Sequence, residues 1–185
     1  MQLMTERLLL REFVAEDWPA VLAYQSDSRY LRLYAWTERS AEDVQAFVQM
    51  FLEYQREQPR RKYQLAIELR AEGRLIGNCG IRKPTADAHE AEIGYELAPD
   101  YWGRGYATEA ARAVLAFGFE QLGLHRVSAD CLAEHTASAH VLEKLGMQRE
   151  GRLRENQWIK GCWRDTLLYA MLEPEWRAAS LARME

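Results

Sequence analysis

The sequence lacks several features that would assign it to other classes of protein. Its three cysteines, Cys79, Cys131 and Cys162, are far apart and form no C-x-x-C pair, so they support neither a disulfide framework nor a zinc ribbon. No apolar run approaches the roughly 18 residues that a membrane helix needs. The first eleven residues carry charge inside their apolar stretch, unlike a signal peptide. We therefore expect reduced thiols in a soluble, cytoplasmic protein without a membrane partner.

The sequence also has no excess of basic over acidic residues. The chain has 24 Lys and Arg against 28 Asp and Glu, a formal net charge of −4. Proteins that bind nucleic acid need cations to neutralise phosphates, so we do not expect nucleic acid as a partner. A mildly acidic surface suits a cationic substrate that bears an amine.

Three common ligand-binding motifs fail as well. Thr108 stands where the third glycine of G-x-G-x-x-G would be, and no Gly-Lys-Ser/Thr follows that loop. The pair His89-Glu90 does not extend to H-E-x-x-H, and no other spacing typical of metal ligands occurs. We predict no metal site.

The 185 residues predict one α/β domain over 1–185, with its core at about 5–173. Asp17 and Ser40 are predicted to cap two helices, and Ser40 forms a capping box with Asp43. The order β-α-α-β-β-β-α-β-α-β-β implies a mixed sheet with helices on both faces. Strands are predicted over 6–13, 63–69, 75–81, Glu90–Leu97, Arg126–Leu132 and in a hairpin over 157–172; two further helices cover 106–122 and Thr136–Leu145.

The most informative stretch joins the strand that stops at Pro99 to the helix that opens at Tyr106. Between them lies a loop with two glycines, Gly103 and Gly105. Glycines let backbone N–H groups approach an anion, and a helix N-terminus adds unpaired donors and a favourable dipole. A pyrophosphate suits this loop, with Arg104 adding charge at its rim. Glycine spacing alone does not distinguish this from a tight turn that binds nothing.

Five segments, in the same order, resemble the GCN5-related N-acetyltransferase (GNAT) superfamily. They are TERLLLRE at 5–12, LIGNCGI at 75–81, YWGRGYATEA at 101–110, SAHVLEKLGM at 138–147 and WRDTLLYAM at 163–171. The third is similar to the family motif Q/R-x-x-G-x-G/A, with Trp102, Gly105 and Ala107 at its defined positions. Tryptophan at the first position departs from the general pattern. The whole segment YWGRGYATEA nevertheless closely resembles the RimJ/RimL-like group of ribosomal-protein N-terminal acetyltransferases.

The resemblance implies a single-domain GNAT-like fold, a mixed and mostly antiparallel sheet whose fourth and fifth strands splay to form the cofactor cleft. It implies acetyl-CoA as cosubstrate and direct attack in a ternary complex by a primary amine, either a protein N-terminal α-amine or a small-molecule amine. A homodimer is compatible with the sequence. The alternative is a non-catalytic acyl-CoA-binding module. Leu142 keeps this alternative open, because many family members have a tyrosine acid there, and so does His135, which stands where the group usually has asparagine.

The same resemblance suggests roles for individual residues. Glu92 matches a strand glutamate that serves as general base, and Glu96 lies on the same sheet face as a second choice. Ser138 or His135 would act as the acid. Each of these residues also has a purely structural interpretation. Glu92 would be an exposed or salt-bridged strand residue, Ser138 a residue in the first turn of a helix, and His135 a solvated loop histidine. The predicted cofactor contacts are Leu97, Trp102, Gly103, Arg104, Gly105, Ala107, Thr108 and Ser138, and the predicted acceptor contacts are Tyr34, Trp36, Glu96 and Trp163.

Overall fold

The computed structural model describes residues 1–182 and contains one sheet of eight strands. Their spatial order is β1-β2-β3-β4-β5-β6-β8-β7, and every neighbouring pair is antiparallel except β5 and β6. The strands are β1 (Gln2–Met4), β2 (Leu8–Glu12), β3 (Lys62–Leu69), β4 (Arg74–Arg82), β5 (Glu90–Leu97), β6 (Arg126–Leu132), β7 (Gln148–Ile159) and β8 (Cys162–Leu172).

Helices cover both faces of the sheet, which confirms the predicted mixed α/β architecture. One face packs against α1 and α3 through a buried cluster that includes Phe13, Val48 and Phe51. The other packs against α4 and α5 through a larger cluster that includes Leu115 and Leu142. The helices are α1 (Trp18–Gln25), α2 (Ser28–Leu31), α3 (Ala41–Arg56), α4 (Tyr106–Ala116), α5 (Thr136–Leu145) and α6 (Glu173–Leu181).

Local signals predicted some elements well and others badly. The capping box between Ser40 and Asp43 is confirmed, since each side chain accepts the other residue's backbone N–H. Asp17 does not cap α1; its carboxylate accepts hydrogen bonds from Arg11 and from the Val14 N–H instead. The strands β1 and β7 and the helices α2 and α6 were missed wholly or in part. β7 begins at Gln148 rather than 157, because most of its side chains are exposed and show no apolar alternation.

The parallel pair β5 and β6 separates after a short shared stretch. Pairing runs only from Glu90 with Arg126 to Glu92 with Ser128, although β5 continues to Leu97. On its other edge β6 pairs with β8 along its whole length, from Arg126 to Leu132. The far half of β5 therefore leaves its neighbour and opens a cleft between the sheet and the helices that follow. None of the helices within residues 1–182 is both long and apolar enough to cross a membrane.

Candidate active site

A cavity of about 590 Å³ lies where β5 leaves β6. Four segments build its wall: α2 with the turn after it, the end of β5, the glycine loop leading into α4, and the start of α5. The predicted site residues that line it are Tyr34, Glu96, Leu97, Trp102, Gly103, Gly105, Ala107, Thr108, His135 and Ser138. The fold thus brings together residues from distant parts of the sequence.

The glycine loop meets the requirements of a diphosphate group. Gly103 and Gly105 have φ values of +72° and +82°, which other residues rarely adopt. A Cβ on Gly103 would have no atom within 4 Å, so the backbone there faces open space. The first hydrogen bond of α4 runs from the Glu109 N–H to the Gly105 carbonyl, which leaves the three preceding N–H groups without a partner inside the helix. The diphosphate of acetyl-CoA, the cosubstrate implied by the resemblance, fits this arrangement of donors.

Two long-range contacts hold the loop in place. Arg7 forms an ion pair with Glu109 in the first turn of α4 at 2.7 Å, and donates to the Arg104 carbonyl at 3.1 Å. Thr5 donates to the same Glu109 carboxylate at 2.6 Å. Burial raises the pKa of Glu109, but the hydrogen bonds from Thr5 and Arg7 outweigh burial, so its net pKa is lowered and it stays charged. The edge of the sheet therefore fixes the start of α4.

Glu96 lines the cavity at the end of β5. Its oxygens accept hydrogen bonds from Tyr24 Oη at 2.6 Å, Gln25 Nε2 at 3.0 Å, Asn78 Nδ2 at 2.5 Å and the Tyr30 hydroxyl. All four donors are neutral. Burial, and then the Glu96 carboxylate, raise the pKa values of Tyr24 and Tyr30, so both tyrosines keep their protons. None of the ion pairs within residues 1–182 includes Glu96.

Aromatic rings extend this end of the cavity. Tyr30 stacks on Tyr34 with ring centroids 4.3 Å apart, and Tyr34 stacks on Trp36 at 5.0 Å. Tyr30 and Tyr34 line the cavity, whereas Trp36 lies behind them under the guanidinium of Arg39. The stack gives the cavity a wall of π faces next to the Glu96 carboxylate, a pairing that suits a cation.

The opposite side of the cleft carries a pair of hydroxyls. Tyr95 Oη lies 3.1 Å from both the hydroxyl and the carbonyl oxygen of Ser138. Burial raises the pKa of Tyr95, and the hydrogen bond from Ser138 opposes this only in part. Burial also raises the pKa of the Cys131 thiol, which contacts Ser138 as well. Ser138 is therefore oriented by a tyrosine from β5.

His135 lies immediately before α5 and lines the cavity. Burial, followed by the nearby charge of Arg32, lowers its pKa below the ordinary value of 6.5. Its imidazole is therefore neutral near pH 7. Although His135 is the N-cap residue of α5, its side chain makes no capping hydrogen bond to that helix. A neutral imidazole can donate one hydrogen bond but is a poor source of a proton.

Four predicted site residues are not among the residues that line the cavity: Glu92, Arg104, Trp36 and Trp163. Glu92 is ion-paired with Arg82 at 3.0 Å, and 54% of its side chain is exposed. Trp163 is 57% exposed and packs edge-on against Trp158 on the β7–β8 hairpin. The Arg104 side chain lies over the Tyr101 ring. Sequence parity put Glu92 and Glu96 on one face but could not tell which of them meets the cleft.

Several functional contacts were missed from the sequence. Tyr24, Gln25, Asn78 and Tyr95 all touch predicted site residues. Asn78 did carry a signal, because it is the only polar side chain in the apolar strand LIGNCGI. Within the described part of the chain, no three His, Cys, Asp or Glu side chains are grouped so that they could hold a metal ion.

Comparison with known proteins agrees with this geometry. The profile of the acetyltransferase (GNAT) domain matches residues 7–148, more than half of the chain. The chain belongs to the GNAT acetyltransferase family. The protein is thus an acetyl-CoA-dependent acetyltransferase, which confirms the family and enzyme class predicted from the sequence.

Three relatives define the position of this GNAT enzyme more closely. It is 38% identical to the uncharacterized N-acetyltransferase YnaD of Bacillus subtilis over 95% of this chain and 99% of YnaD. The crystal structure of a GNAT-family acetyltransferase from Bacillus anthracis shares the fold with a TM-score of 0.81 and 36% identity, covering 94% of this chain and 99% of that one. The [ribosomal protein uS5]-alanine N-acetyltransferase of Escherichia coli is 30% identical over 48% of this chain and 45% of its own length. The last similarity supports the RimJ/RimL-like group.

Proposed function

We propose that this GNAT enzyme acetylates a primary amine that enters the cavity as a cation and binds at Glu96. One observation carries the proposal: Glu96 presents to the cavity a carboxylate that is held by four neutral donors and has no ion-pair partner within residues 1–182. Glu96 is partly buried, and a carboxylate withdrawn from water in this way gains from a cationic partner. An ammonium group, seated against the rings of Tyr30 and Tyr34, would supply it.

Glu96 then serves as the group that takes up the proton when the ammonium becomes a nucleophilic amine. When bound, acetyl-CoA supplies the acetyl group as a reactive thioester. Glu96 releases that first proton to water and then accepts the second N–H proton as the amine nitrogen bonds to the acetyl carbonyl carbon and the carbon–sulfur bond breaks. Ser138 is the proposed donor of a proton to the departing thiolate, and it regains a proton from solvent. Glu92, exposed and paired with Arg82, has less access to the amine than Glu96.

The proposed acceptor is the α-amine of a protein N-terminus. The E. coli relative is named as an N-acetyltransferase of an alanine of ribosomal protein uS5. Arg32 and Glu134 line the cavity and are exposed, so the cavity opens to solvent there, where the rest of a peptide chain would continue. A small-molecule amine is the alternative acceptor and would need only the Glu96 end of the cavity. Backbone N–H groups of the loop from Gly103 to Thr108 would hold the pyrophosphate.

The test is an acceptor screen with matched carboxylate variants. Peptides that begin with Ala, Ser or Met are compared with spermidine and free amino acids, using acetyl-CoA and thiol release as the readout. Glu96→Gln is expected to lower kcat/KM for the best acceptor by about a hundredfold or more, the scale of a lost general base. Glu92→Gln is expected to cost less than about tenfold, the scale of one hydrogen bond. A larger loss in Glu92→Gln than in Glu96→Gln would contradict the proposal, and turnover of spermidine but no peptide would reject the N-terminal acceptor.

A further inference from the structure

A row of polar side chains crosses the sheet from the cavity to solvent. Asn78 Nδ2 donates to Glu96 at 2.5 Å, and Gln64 Nε2 donates to Asn78 Oδ1 at 2.6 Å. Arg82 Nη1 donates to Gln64 Oε1 at 2.9 Å, and Arg82 Nη2 donates to Glu92 at 3.0 Å. Gln64 and Asn78 are each 3% exposed, whereas Arg82 reaches the surface. We refer to Arg82, Gln64 and Asn78 as the polar row.

The two ends of the polar row determine how its amides point. A guanidinium only donates hydrogen bonds, and an ionised carboxylate only accepts them. Arg82 therefore selects the oxygen of Gln64, which turns the Gln64 amino group toward the Asn78 oxygen. The Asn78 amino group must then face Glu96. The opposite orientation would put the Asn78 oxygen against the carboxylate, where two acceptors repel.

The backbone leaves space for this row at two glycines. A Cβ on Gly80 would lie 2.1 Å from Gln64 Oε1, and a Cβ on Gly94 would lie 2.8 Å from Arg82 Nη2. Any larger residue at Gly80 would displace the Gln64 amide, which has no room to shift without losing a partner. The sheet is thus built so that two long polar side chains can lie flat across it.

We propose that Arg82, Gln64 and Asn78 are positioning residues that orient Glu96 toward the acceptor amine. The proposal rests on the acceptor role of Glu96 proposed above. Arg82, held by its ion pair with Glu92, sets the direction of the amides, and Asn78 transmits that direction to one Glu96 oxygen. Glu92 therefore influences the site through four hydrogen bonds, without contacting the substrate.

The first test reads the amide direction without any substrate. In ¹⁵N–¹H spectra, the side-chain NH₂ signal of Asn78 is assigned by its loss in Asn78→Ser. We expect Arg82→Met to shift or broaden that signal. Arg126→Met is the matched control, because Arg126 has nearly the same side-chain exposure, 31% against 32%, and pairs with Glu150 on the same sheet away from the row. An Asn78 signal that is unchanged in Arg82→Met would overturn the proposal.

The second test is kinetic and uses the peptide or amine that turns over fastest in the acceptor screen. Arg82→Met and Gln64→Met are expected to raise the acceptor KM about tenfold, the scale of one misdirected hydrogen bond to a charge. The KM for acetyl-CoA should stay within about twofold, as in Arg126→Met. In an Asn78→Ser background the effect of Arg82→Met should disappear, because Asn78 is its route to Glu96. Additive losses would overturn the proposal.

The outcomes separate this proposal from the proposed function. If Glu96→Gln leaves the acceptor KM and kcat unchanged, the acceptor role of Glu96 fails, whatever the polar row does. If Glu96→Gln is impaired while Arg82→Met and Gln64→Met behave like Arg126→Met, the acceptor role stands and the positioning role is wrong. Should Gln64→Met fail to fold, the surface variant Arg82→Met still gives both readouts.

Discussion

Trp102 donates its indole N–H to the carbonyl oxygen of Leu97 at 2.8 Å and so ties the glycine loop to the end of β5. This residue occupies the position where the general GNAT motif has Gln or Arg. Its side chain joins two walls of the cavity, the strand end and the loop that leads into α4. The departure from the motif thus has a structural role in this protein.

We expect Trp102→Phe to weaken acetyl-CoA binding. Phenylalanine keeps an aromatic ring but loses the bond to Leu97, and one such bond is worth about 1 kcal/mol, or roughly fivefold in affinity. Calorimetric titration with acetyl-CoA measures the effect. Trp158→Phe on the exposed hairpin is the control and should bind like the wild type. Equal affinities for all three proteins would show that the bond does not support the cofactor site.

A substitution at Thr108 tests whether the glycine loop and the start of α4 bind the diphosphate. It is the third residue of α4, where glutamate favours a helix start, so Thr108→Glu should fold normally. Its charge should repel the pyrophosphate and lower acetyl-CoA affinity at least about tenfold, whereas Thr108→Gln should bind within about threefold of wild type. Thermal unfolding checks the fold. If both variants bind equally well, the diphosphate does not lie at this helix start.

Ser138 is the next residue to test, because Tyr95 holds it at the cavity wall. If it protonates the leaving thiolate, Ser138→Ala should lower kcat by at least about tenfold and leave the KM for acetyl-CoA nearly unchanged. Tyr95→Phe should lower kcat by a smaller factor, since it removes only the orienting bond. Steady-state kinetics with saturating acceptor measure both. A normal kcat in Ser138→Ala would remove this residue from the chemistry.

The lowered pKa of His135 predicts how the free energy of unfolding changes with pH. Its pKa is lowered in the folded protein and returns to about 6.5 on unfolding, so below that pH the unfolded chain binds more protons. The free energy of unfolding should therefore fall as the pH decreases from about 6.5 toward the lowered folded value. In His135→Asn this part of the fall should vanish. Urea unfolding of both proteins at several pH values measures it, and parallel curves would contradict the burial of a neutral imidazole.

A substitution at Cys131 tests whether the acetyl group passes directly to the amine in a ternary complex. Burial raises the pKa of its thiol, so the group stays protonated near neutral pH and is a weak nucleophile. Cys131→Ala should keep kcat within about threefold of wild type. A loss of more than about a hundredfold, together with acetylated enzyme detected by mass spectrometry, would indicate an acyl-enzyme on Cys131 instead of a ternary complex.

Local sequence determined the parts of this protein that depend on near neighbours. The capping box of Ser40 and Asp43, the αL stop at Gly146 and the glycine loop before α4 all follow from residues a few positions apart. The unpaired N–H groups of this loop belong to the backbone, and they result from glycine φ angles and from the start of a helix. Because such features are formed by residues close together in the sequence, the five family segments were sufficient to predict the fold class and the cosubstrate.

Only the tertiary structure decided which glutamate meets the cavity. Glu92 and Glu96 share one face of β5, and the strand period makes them equivalent in the sequence. They differ because β5 leaves β6 after Glu92, so that Glu96 lies in the opened half of the strand. Its partners Tyr24 and Asn78 come from α1 and β4, and Glu92 meets Arg82 at the surface. Contacts of this kind depend on where distant segments pack, which no local pattern encodes.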